Sequence, residues 1–121
     1  MTMPMSKDVR EISDLIGEEV SAVSFVRDYV EFHFDGPILR SLSNPTALVD
    51  GVEYRFPGPG ARDALCRAIG STVRALQLEE DRDLRLTTDI CEITIPLDEK
   101  HLRGPEAMHF VPKWNGPIQV W

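Results

Sequence analysis

The sequence predicts an α+β domain of mostly antiparallel sheet carrying two helices, built from two pseudo-symmetric halves, residues 6–56 and 57–121. Three observations predict it: an internal repeat, two stretches of helical apolar spacing that each end on glycine, and alternating segments separated by turn dipeptides. Each half reads as helix, hairpin, strand, hairpin.

The repeat comes first because a duplicated unit changes the meaning of every other motif. When Gly17 is laid over Gly70, "ISDLIGEEVSAVSFVRD" overlies "LCRAIGSTVRALQLEED", and Val20 meets Val73, Ala22 meets Ala75, and Asp28 meets Asp81. With one inserted residue, "VEFHFD" overlies "LRLTTD" and Leu39 overlies Ile93. In both copies the apolar phase switches, from Val20 and Ala22 to Val23 and Phe25, and from Val73 and Ala75 to Leu76 and Leu78. Strand side chains alternate with period two, so a shared switch predicts a bulge or bend in each copy.

The helices are predicted from "SKDVREISDLIG", with Val9, Ile12 and Ile16 on one face and Ser6 as N-cap, and from "GARDALCRAIG", with Ala61, Leu65, Ala68 and Ile69. Gly17 and Gly70 suit the left-handed residue that ends a helix. "YVEFHFD" then places Val30, Phe32 and Phe34 on one face, and "DLRLTTD" places Leu84 and Leu86, as in a sheet covered on one side. "ILRSLS" and "CEITIPL" supply third strands. Asp50-Gly51 and Asn115-Gly116 mark the closing hairpins. The second copy adds "DEKHLRGPEAM" before its last hairpin. Whether the halves share one sheet or pack as two is open from sequence.

Composition narrows the function classes. The chain has 121 residues, 42% hydrophobic and 27% charged, which suits one folded domain with a core. Its net charge is −7, from 20 acidic against 13 basic residues, which disfavours nucleic acid and favours a basic protein partner. Cys66 and Cys91 lack metal or disulfide spacing, and no apolar run approaches membrane-spanning length, so a cytoplasmic protein with reduced thiols is expected.

Motifs for chemistry are sparse. "RFPGPGARD" is glycine-rich and precedes a helical pattern, but Pro57 and Pro59 lack N–H groups and no phosphate-loop signature is present, so it reads as a connector. His33 faces outward, toward solvent or a partner. Glu106 and His109 are spaced i, i+3, either one half of a carboxylate–imidazole metal site or an incidental pair. Trp121 reads either as a core plug or, with Trp114, as an exposed anchor for a partner. No catalytic residue, metal ligand or cofactor is predicted. The candidate ligand- or partner-binding residues are His33, Glu106, His109, Trp114 and Trp121.

The segments "RDYVEFHFD", "DLRLTTD" with "CEITIPL", "GPEAMHF" and the closing "IQVW" resemble a broad group of small uncharacterised bacterial proteins, some of them immunity-protein-like. Asp89-Ile90 stands where that group has Asp-Gly. The resemblance implies no catalytic residues. The expectation is a non-catalytic, acidic, homodimeric protein-binding or immunity-like module, with a small-molecule site or minor activity between the halves as the alternative.

Overall fold

A computed structural model describes residues 9–112 and 117–121. Ten strands are present among them: β1 Ala22–Val26, β2 Tyr29–His33, β3 Ile38–Ser41, β4 Thr46–Val49, β5 Val52–Arg55, β6 Val73–Glu79, β7 Asp83–Thr88, β8 Glu92–Pro96, β9 Met108–Val111 and β10 Gln119–Val120. They form two five-stranded sheets, β1-β2-β3-β9-β10 (sheet 1) and β5-β4-β8-β7-β6 (sheet 2), with every pairing antiparallel. Their inner faces share one core that includes Val30, Phe32, Leu39 and Phe110 of sheet 1 and Ala47, Leu84, Leu86, Ile93 and Ile95 of sheet 2.

The helical content corrects the sequence reading. Among the described residues one α-helix forms, α1 at Ala61–Cys66, together with 3-10 turns at Ile12–Leu15 and Glu99–His101. The expected two-helix α+β architecture is therefore a mostly antiparallel β fold. The first helix fails for a local reason. Asp14 Oδ2 accepts the N–H groups of Arg10 and Glu11, both at 3.0 Å, forming with Glu11 a capping box that starts a turn at Ile12, and the turn ends after four residues where the backbone becomes extended at Ile16. Glu11 and Ile16 are extended on either side, and Gly17 follows at φ 92°. Leu15 is buried in place of Ile16, which is 42% exposed. Ser6 lies outside the described residues.

The halves do not close on themselves. Each sheet takes three strands from one half of the chain and its last two from the other. The crossovers run through residues 42–45 and 97–107 and hold each other: Leu42 and Ser43 donate N–H bonds to the Ala107 carbonyl, and Ser43 Oγ donates to the Pro96 carbonyl at 2.6 Å. Ser43 is 1% exposed, so that bond satisfies a hydroxyl buried in the core.

The segments joining the sheets meet in four backbone bonds. Gly17 N–H reaches the Val73 carbonyl and Gly70 N–H the Val20 carbonyl, both at 2.8 Å; Val20 N–H reaches Ser71 and Val73 N–H reaches Glu18, both at 2.9 Å. Exchanging Gly17 with Gly70, Glu18 with Ser71 and Val20 with Val73 maps this set onto itself. Both glycines have positive φ, 92° and 85°. The β4–β5 turn likewise has Asp50 and Gly51 at φ 51° and 78°, the type I′ geometry that suits the twist of a hairpin. The β9–β10 turn at Asn115-Gly116 lies outside the described residues.

A register shift interrupts β6 between Val73 and Ala75, while β1 pairs in unbroken register over Ala22–Val26. In the first copy the change of phase falls before the strand, at Ser21, whose N–H and Oγ both bond the His33 carbonyl. α1 packs on β4 and touches β1 and β5, so it covers the junction of the two sheets.

Gly17→Ala and Gly70→Ala each meet no steric obstacle at Cβ but hold an L-residue at positive φ. Each is expected to lose about 1–2 kcal/mol in urea unfolding. Phe110→Ala, which empties a fully buried site, is expected to lose about 3–5 kcal/mol in the same measurement.

Candidate functional site

Alternation along β2 sends Val30 and Phe32 inward, so Tyr29, Glu31 and His33 stand on the outer face of sheet 1. Registration sets their neighbours. Glu31 is opposite Ser24 on β1 and Arg40 on β3, Arg40 is opposite His109 on β9, and His109 is opposite Val120 on β10. One row across five strands therefore reads Ser24, Glu31, Arg40, His109, Val120.

The polar members of that row are bonded in series. Arg40 Nε donates to Glu31 Oε2 at 2.8 Å, Arg40 Nη1 meets His109 Nδ1 at 3.1 Å, and His109 Nε2 meets Glu106 Oε2 at 2.7 Å. Guanidinium nitrogens can only donate, so Nδ1 of His109 is the acceptor. The ring proton is then on Nε2, donated to Glu106. Glu31, Arg40 and His109 side chains are 14%, 25% and 20% exposed, half-shielded values at which charged hydrogen bonds are stronger than on an open surface. Arg40 also lies over the Tyr29 ring, 5.9 Å from its centroid. His33 Nε2 stands 3.3 Å from Glu31 Oε1 at the end of the series, within ion-pairing reach but without a hydrogen bond.

The structure thus connects three of the residues singled out from sequence, His33, Glu106 and His109. It does so through Glu31 and Arg40, which the sequence reading missed. Their outward parity was legible in "YVEFH" and "ILRS", but the pairing of β3 with β9 spans the chain. Glu106 and His109 sit at the join of the 97–107 crossover and β9, not on a helix. Trp121 packs partly buried against the core, and its carbonyl accepts from Ala107 and Met108 N–H groups. Trp114 lies outside the described residues.

Glu106 also borders a cleft of about 210 Å³ with Tyr29, Leu42 and Arg103. Arg103 pins the crossover there by donating to the carbonyls of Leu42 and Asp28. His33 and His109 do not line that cleft. The polar atoms of the row bond to one another instead of converging on a ligand. Among the described residues no group of three or more His, Cys, Asp or Glu side chains is placed to hold a metal.

The Gly/Pro connector is occupied internally. Gly58 N–H bonds the Arg55 carbonyl and Ala61 N–H the Gly58 carbonyl, while Arg62 lies 5.0 Å over the Phe56 ring. Phe56 stacks on Phe25 at 5.8 Å between centroids. Cys66 and Cys91 are free thiols, and burial pushes the Cys91 thiol up from its ordinary range against a smaller lowering by the Thr88 hydrogen bond.

The two outer faces differ. On sheet 2 one outward row holds Gln77, Arg85, Thr94, Thr46 and Arg55, with Arg85 bonded to Glu79 at 3.2 Å, and the next holds Ala75, Thr87, Glu92, Leu48 and Glu53, with Leu48 41% exposed. On sheet 1 the row beside the charged one holds Ala22, His33, Ile38 and Val111. Val26 stands opposite Tyr29 on the other side. At the β10 edge Ile118 and Val120 are 54% and 51% exposed. No family model, curated protein or solved structure matches this chain. Among the described residues no helix is long and apolar enough to cross a membrane.

Arg40→Met strands the half-shielded carboxylate of Glu31 and is expected to cost about 1–3 kcal/mol in urea unfolding. Arg74→Met, whose side chain is 62% exposed, is expected to cost at most about 1 kcal/mol. For Cys91 the raised thiol sets the sign. The unfolded chain releases this proton first, so the stability it contributes is full below the usual thiol range, about pH 8.5, and falls as pH rises through that range. Cys91→Ala is expected to flatten that alkaline loss, read as the urea midpoint between about pH 8 and pH 10. In the folded protein a thiol reagent is expected to modify half-buried Cys66 before Cys91.

Proposed function

We propose that this protein is a non-catalytic protein-binding module whose binding surface is the outer face of sheet 1. The carrying observation is the outer face of sheet 1, where Ala22, Val26, Ile38, Val111 and Val120 flank the bonded Glu31–Arg40–His109 row, whereas the outer face of sheet 2 sets Ala75 and Leu48 among polar and charged side chains. Apolar surface of this kind, rimmed by polar groups, is characteristic of interaction sites.

The proposed occupant is a protein with excess Lys and Arg, because the net charge of −7 attracts such a partner at long range and repels acidic surfaces. An immunity-like role, neutralising a basic protein, is the concrete form, and it rests on the sequence resemblance. A second copy of the chain is the competing occupant. A small-molecule site has less support: among the described candidate residues, Glu106 borders the 210 Å³ cleft and His33 and His109 do not.

Photo-crosslinking tests the proposal. A benzophenone amino acid at Val111, on the outer face of sheet 1, is expected to give an adduct with one basic protein in the cells that make this chain, abolished by Val120→Arg. The same probe at Thr94, on sheet 2, is expected to give none. No adduct at Val111, an adduct only with itself, or equal labelling from both faces would overturn it.

A further inference from the structure

We propose that the Arg40–His109 contact is a proton-operated latch on the outer face of sheet 1, broken when His109 takes up a second proton and thereby making the charge of that face switch with pH. The inference starts from donors and acceptors. His109 Nδ1 is the acceptor for Arg40 Nη1 at 3.1 Å, and Nε2 donates to Glu106 Oε2 at 2.7 Å. A proton added at Nδ1 puts N–H against N–H and cation against cation. The Arg40 contact cannot survive it, whereas the Glu106 contact becomes charge-assisted.

Among the described residues, three elements set groups against His109. β3 contributes Arg40, the 97–107 crossover contributes Glu106, and β10 contributes the uncharged Val120. Beyond Arg40, β2 contributes Glu31 at 2.8 Å, with Tyr29 under the guanidinium and His33 3.3 Å from the other Glu31 oxygen. Arg40 therefore has somewhere to go: its Nε bond to Glu31 and its place over Tyr29 persist while Nη1 swings away from β9.

A second proton on an imidazole changes its charge by one, so the latch couples the Arg40 contact to the charge of the row. With both imidazoles neutral, the connected groups are two carboxylates and one guanidinium, an excess of negative charge. With His33 and His109 protonated, three cations face two carboxylates and the sign reverses. If the face binds a basic partner as proposed above, acidification releases that partner. This consequence rests on the proposed function; the latch itself does not.

Side-chain nitrogen NMR on the isolated, uniformly labelled protein tests the latch without any partner. At about pH 8 the His109 ring is expected in the Nε2–H form, and on acidification toward about pH 5 the Arg40 guanidinium signals are expected to shift with the same midpoint as the His109 ring. In His109→Gln that Arg40 transition is expected to disappear. A His109 ring protonated at Nδ1 at the higher pH, or Arg40 signals that stay fixed while His109 titrates, would overturn the proposal, and the wild-type measurement decides this even if the variant fails to fold. Because no partner is present, a failed latch and a failed binding face are told apart: the first shows here, the second in the crosslinking.

Discussion

Everything in this fold hangs on the four backbone bonds between the Gly17–Val20 and Gly70–Val73 segments. They are reciprocal, so each segment supplies the donors and acceptors that the other lacks. The first lies just ahead of β1 and the second runs into the start of β6, and the Glu19–Thr72 bridge sits between them. The pairing therefore relates the two sheets to each other. Positive φ at both glycines turns the chain into this pairing, which is why a glycine at each position costs less than any side chain would.

From that joint follows the exchange of hairpins. A three-strand meander on each side leaves one strand, β3 or β8, without a neighbour, and the hairpin that fills the gap comes from the other half. Antiparallel pairing satisfies the ladder, and the crossing segments bond each other through Ser43, Pro96 and Ala107. The longer crossover, residues 97–107, ends beside the outer face of sheet 1. It delivers Glu106 to the edge of the Glu31–Arg40–His109 row, which sheet 2 has no counterpart to receive.

That asymmetry makes one face distinctive. The same strand order builds both sheets, yet sheet 2 sets Ala75 and Leu48 outward among threonine, glutamine and charged side chains, while sheet 1 sets Ala22, Val26, Ile38, Val111 and Val120 around a chain of charges bonded to one another. Changing the proton count on one imidazole alters the donor balance of its neighbours, because arginine has no acceptor to offer in exchange.

What the amino-acid sequence determined by itself was local. Period-two alternation in "YVEFHFD" and "DLRLTTD" set which side chains face the core, Asp50-Gly51 set the β4–β5 turn, and Gly17 and Gly70 set the left-handed turns. At residues 9–17 helical spacing overstated the helix: the Glu11–Asp14 capping box starts one turn, and extended Ile16 with Gly17 at φ 92° ends it. Only the tertiary structure decided that the closing hairpins exchange sheets, and with it that Arg40 meets His109 across 69 residues. Pairing between distant strands depends on which buried faces meet and how the crossovers thread, and neither is written in the spacing of residues along one strand.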